Sequence, residues 1–74
     1  MTPVEVKQLI ESGIENCEAN VESEDNRHFQ ATVVSSAFTG QSLVKQHQMV
    51  YATLGNAMQT DELHALALTT KTPA

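Results

Sequence analysis

The apolar positions of this 74-residue chain repeat at helical spacing, then at every second residue, then at helical spacing and every second residue again. Thr2-Pro3-Val4-Glu5 fits a capping box with proline at the first helical position, and Val6, Leu9, Ile10, Ile14 and Cys17 follow at helical intervals. This predicts a first helix over about Pro3–Cys17. Gly13 costs it about 1 kcal/mol relative to alanine, and Glu15 and Glu18 lie near a C-terminus that prefers cations, so packing must hold the helix. Val21 and Ser23 open a period-two pattern. It resumes after Glu24-Asp25-Asn26-Arg27, with Phe29, Ala31 and Val33 on one face and Gln30, Thr32 and Val34 on the other, which predicts an antiparallel hairpin with a polar loop.

After Ser35-Ser36-Ala37-Phe38-Thr39-Gly40, a second helix is expected to start with Ser42 or Gln41 near its cap. Leu43, Val44, His47, Val50, Tyr51, Leu54, Ala57 and Met58 fall on its apolar face. Gln59-Thr60-Asp61 ends it, and Leu63 to Thr70 alternates again, with His64, Leu66 and Leu68 on one side. A strand, a helix and a further strand in one sheet favour a parallel pair, so the third strand belongs beside the second. The expected fold is α+β, a single domain over residues 1–74 in the order α-β-β-α-β, with helices on one face of a three-stranded mixed sheet.

Composition narrows the function classes. A domain of this size buries only about 60% of its unfolded surface, which argues against a large catalytic cleft. The single cysteine excludes an internal disulfide, and no apolar run approaches the roughly 18 residues of a membrane span. The N-terminus lacks the basic segment and apolar stretch of a secretory signal, so a cytoplasmic protein without membrane association is expected. Seven acids (Glu5, Glu11, Glu15, Glu18, Glu22, Glu24 and Asp25) fall in the first 25 residues against one base, Lys7. Beyond them Asp61 and Glu62 face Arg27, Lys45 and Lys71. Four basic residues cannot supply a dense phosphate footprint, so tight nonspecific nucleic-acid binding is not expected.

The chemistry-bearing residues are few. Gly13, Gly40 and Gly55 are too scattered for a phosphate loop, and neither Cys-x-x-Cys nor His-Glu-x-x-His occurs, so an enzyme has almost no support. Cys17, on the stripe of Ile10 and Ile14, reads as a buried thiol with a raised pKa that behaves as a small hydrophobe. His28 closes the hairpin loop and His64 opens the third strand. If those two strands run parallel side by side, both imidazoles begin their strands at the same edge of the sheet, within reach of one ion. The competing reading is a loop histidine and a satisfied strand-end histidine, since two histidines make no recognised metal signature.

Several segments in one order resemble the BolA-like family. They are His28-Phe29-Gln30-Ala31-Thr32-Val33-Val34-Ser35, the turn with Phe38 and Gly40, the helix segment with Lys45, His47 and Val50, and the strand from His64-Ala65-Leu66 to Thr72-Pro73. The short acidic loop before His-Phe-Gln is most similar to the acid-stress branch of the bacterial proteins. The resemblance implies a fold similar to a class II KH domain and a final helix that would continue beyond Thr72-Pro73-Ala74. For function it implies a cytoplasmic partner of monothiol glutaredoxins that shares a bridging [2Fe–2S] cluster, with glutathione, in iron–sulfur trafficking, iron homeostasis and the stress response. His64 is carried over as a cluster ligand, and His28 as the second. A [2Fe–2S] cluster needs four ligands, so partner thiolates must complete two nitrogens from this chain. The alternative is a KH-like DNA-binding transcriptional regulator with Lys45, His47, Arg27 and Lys71 as the contact candidates. It is weakened by the lack of a Gly-x-x-Gly loop and by His47 reading first as core. A homodimer is left open.

Overall fold

The computed structural model describes residues 1–55, 57–58 and 65–73. Helix α1 spans Pro3–Gly13 and begins where the capping box predicts. The Thr2 hydroxyl accepts the Glu5 N–H at 3.3 Å, and Glu5 Oε1 accepts the Thr2 N–H at 2.9 Å. Its C-terminal end corrects the expectation. The helix stops at Gly13, Ile14 is already extended, Asn16 takes a left-handed φ of 49°, and Cys17 opens strand β1, Cys17–Glu22. Its last residue has no room for a side chain, because a Cβ at Gly13 would meet Thr53 Cγ2 at 2.5 Å. The helical stripe therefore ends at Ile14, and Cys17 belongs to a strand whose inward side is Cys17, Ala19 and Val21.

Strand β2 spans Phe29–Ser35, with Phe29, Ala31, Val33 and Ser35 buried on alternate positions. It pairs antiparallel with β1 (Cys17 with Ser35, Glu22 with Gln30) and parallel with β3, Leu66–Lys71 (Phe29 with Leu66, Val34 with Lys71). The sheet order is β1-β2-β3. The parallel neighbour expected for the third strand is thus present. Of its expected span, Leu63 and His64 lie outside the described residues; Ala65 precedes the strand, which runs one residue past Thr70. At the β1 edge, Ala19 is closed off by α1: its N–H donates to Glu11 Oε2 at 3.0 Å, and its carbonyl accepts the Lys7 ammonium, itself 2.9 Å from Glu11. Edge backbone groups satisfied in this way cannot recruit another strand there.

A short 3-10 turn, Ser36–Phe38, buries Phe38 and leads through Gly40, whose φ of 78° suits a residue without Cβ, to helix α2, Leu43–Leu54. Ser42 caps it, accepting the Lys45 N–H at 3.1 Å. Leu43 and Val44 were expected on the apolar face; they are 62% and 68% exposed, and Ala57 is exposed as well. The first turn of α2 overhangs the core, which the helix enters with Val50 and Leu54, followed by Met58. Val6 and Ile10 of α1 meet them over the inward face of β2.

Candidate metal centre

The parallel register brings two strand beginnings together. The Phe29 N–H donates to the Ala65 carbonyl at 3.0 Å, so the residue after His28 is hydrogen-bonded to the residue after His64. His64 itself lies outside the described residues. Around this point Glu22, Ser23, Glu24, Asp25, His28, Phe29, Gln30, Ala65 and Ala67 line a concavity of about 520 Å³.

The loop that carries His28 is built by local hydrogen bonds. Ser23 and Asp25 are turn residues whose short polar side chains bind nearby backbone. The Asn26 N–H donates to Ser23 Oγ at 2.9 Å, and Asn26 takes a φ of 56°, which asparagine tolerates. Asp25 Oδ1 accepts the N–H groups of Arg27 and His28, each at 2.9 Å, and the Ser23 hydroxyl at 3.3 Å. Its other oxygen, Oδ2, is 2.8 Å from His28 Nδ1. The bond from the His28 backbone N–H, then the His28 ring and the Arg27 N–H, hold the Asp25 carboxyl far below the usual carboxylate range. The imidazole is 79% exposed and projects from the loop.

Sequence reasoning identified His28 but passed over Asp25. The signal that could have found it is Ser23-x-Asp25-Asn26, a cluster of turn-forming side chains three positions before the histidine. Cys17 stands apart from the site. It lies at the opposite end of β1 from the loop, about 17 Å away along the strand, half-buried, with burial pushing its thiol pKa up. Among the described residues, no group of three or more His, Cys, Asp or Glu is placed to hold a metal ion by itself.

The nucleic-acid candidates do not form one surface. Arg27 is exposed in the loop, whereas Lys71 ends β3 at the far end of the sheet. The Thr70 hydroxyl donates to Gln46 Oε1 at 2.6 Å, so Lys71 and Lys45 flank one contact between β3 and α2. Gln46 also donates to the Gln41 carbonyl at 2.9 Å, a tie between helix and turn that the apolar pattern did not reveal. His47 is half-buried, in keeping with its place on the helical stripe, and its Nε2 is buried without a hydrogen-bond partner among the described residues.

The family model described as BolA-like protein matches residues 2–74. The chain belongs to the BolA-like family. It is 40% identical over 70 residues to the DNA-binding transcriptional regulator BolA of Escherichia coli K12, an alignment covering 95% of this chain and 62% of that protein. The acid stress protein IbaG of Escherichia coli K12 is 33% identical over 70 residues, covering 95% of this chain and 82% of IbaG. A BolA homologue from Coxiella burnetii has a solved structure that superposes with a TM-score of 0.83 at 40% identity, over 99% of this chain and 92% of that one. This BolA-like chain spans less than two thirds of several curated relatives, 32% of the chloroplastic BOLA1 of Arabidopsis thaliana among them. Among the described residues, no helix is long and apolar enough to cross a membrane.

Proposed function

We propose that this BolA-like chain is a partner of a monothiol glutaredoxin rather than an enzyme. The two proteins share a bridging [2Fe–2S] cluster, the cargo of a cytoplasmic route of iron–sulfur trafficking that serves iron homeostasis and the stress response. His64 and His28 are the ligands this chain brings. A thiolate of the glutaredoxin and one of glutathione complete the four that the cluster needs. The observation that carries the reading is the hydrogen bond between Phe29 and Ala65, which joins the two chain positions next to the histidines.

The donor set agrees with this chemistry. The one thiol of the chain lies half-buried at the other end of β1, so the soft ligands must come from outside. His28 already has a carboxylate on one ring nitrogen, the arrangement that leaves the other free to bind metal. Histidine ligation raises the potential of such a cluster relative to an all-thiolate one. Co-expression with a monothiol glutaredoxin, followed by visible absorption of the purified complex, tests the proposal. A coloured heterodimer is expected for the natural chain and a colourless one for His64→Ala; a variant that keeps the natural spectrum would overturn the ligand assignment.

A second reading, DNA binding, draws on the similarity to the DNA-binding transcriptional regulator BolA of Escherichia coli and on Lys45 and Lys71 flanking one contact between α2 and β3. Arg27, Lys45 and Lys71 together would release few counterions, giving a logarithmic salt slope no steeper than about −3. A gel shift that persists at physiological salt and is lost in Lys45→Ala would favour this reading over the first.

A further inference from the structure

We infer that Asp25 is a positioning residue for His28: its Oδ2 accepts a hydrogen bond from Nδ1–H, which keeps the ring proton on Nδ1 and leaves the Nε2 lone pair to be offered to a metal. The identity of that metal rests on the partner reading above.

The inference is geometric. A neutral imidazole carries one N–H and one lone pair, and the hydrogen bond at one nitrogen decides which is which. His28 Nδ1 faces Asp25 Oδ2 at 2.8 Å, and an ionised carboxylate only accepts, so the neutral ring must carry its proton on Nδ1. The carboxylate is not free to turn away. Its Oδ1 is held by two backbone N–H groups and the Ser23 hydroxyl, which fixes the carboxylate plane and aims Oδ2 at the ring. Packing cannot orient an imidazole that is 79% exposed, so Asp25 supplies what burial supplies to a core side chain. Imidazoles that bind metal are held in this way, and loss of the supporting group costs about 10- to 100-fold in metal affinity.

Asp25→Asn is the deciding variant. Its amide oxygen still accepts the loop N–H groups, while an NH₂ replaces Oδ2 and can only donate, so His28 must accept at Nδ1 and carry its proton on Nε2. Long-range ¹H–¹⁵N spectra of the isolated chain, with the imidazole neutral, are expected to show the Nδ1–H tautomer in the natural protein and the Nε2–H tautomer in Asp25→Asn. Ser23→Ala, which loosens the turn without touching the ring, is expected to keep the natural tautomer. In the complex with a monothiol glutaredoxin and glutathione, Asp25→Asn is expected to hold the cluster about 10- to 100-fold more weakly. An Nε2–H tautomer in the natural chain, an unchanged tautomer in Asp25→Asn, reversal in Ser23→Ala, or a reversed tautomer with unchanged cluster retention would each overturn the inference. A natural complex that forms no cluster would sink the proposed function instead, and the tautomer, read without the partner, would still decide whether Asp25 sets the ring.

Discussion

Glu11 and Asp25 are two carboxylates that do the same local chemistry for different ends. Each accepts backbone N–H, Glu11 one group and Asp25 two, and each meets a nitrogen of a basic side chain; each is held below the usual carboxylate range, Glu11 first by the Ala19 N–H and then by Lys7. The difference is reach. Glu11 bonds to a residue eight positions away and ties α1 to the edge of the sheet, whereas every partner of Asp25 lies within three residues. One carboxylate joins elements and serves the fold; the other shapes a loop and serves the site. The loop can therefore vary without unlatching the helix from the sheet.

The largest test breaks both regions at once. Phe29 is 1% exposed and its backbone joins the loop to β3, so Phe29→Ala is expected to destabilise by about 3–5 kcal/mol, much of the stability of so small a domain. Urea denaturation would show this, and cluster assembly would fail with the fold. Gly13→Ala comes next. In an open helix the substitution would stabilise, but here the new Cβ meets Thr53, so a loss of about 1–3 kcal/mol is expected, and a gain would mean that α1 and α2 separate easily.

Glu11→Gln sharpens the comparison through pH. Because the folded carboxyl titrates below its ordinary value, its contribution to stability is present above the ordinary carboxylate range and is lost as pH falls through the lower, folded value. Urea midpoints measured from neutral to acid pH should therefore fall less steeply in Glu11→Gln, which starts from a lower midpoint. Asp25→Asn should shift the neutral midpoint less, because its partners sit together in one loop. The smallest effect is expected from Cys17→Ala, a loss of about 1 kcal/mol with cluster retention unchanged. Loss of cluster colour at unchanged stability would make the thiol a ligand.

Much of this molecule was legible in local pattern. Thr2-Pro3-Val4-Glu5 starts a helix because its hydrogen bonds close within four residues, the alternation from Phe29 to Val33 marks a buried strand, and the order strand-helix-strand leads to the parallel pair that aligns Phe29 with Leu66. His28 could be singled out by residue type and place alone. What local pattern could not decide was where one period yields to the next. The three-residue interval from Ile14 to Cys17 suits a helix, yet α1 ends earlier at a glycine pressed against Thr53, forty residues away in the chain. Leu43 and Val44 fit an apolar stripe, but burial depends on what lies opposite, and the first turn of α2 overhangs the core. Asp25 was written in the sequence as one acid among nine, and only the folded loop turned one of its oxygens to the backbone and the other to His28. Sequence sets hydrogen bonds and periods that close over a few residues; contacts between distant segments set where elements end, which apolar faces are covered and which carboxylate meets which base.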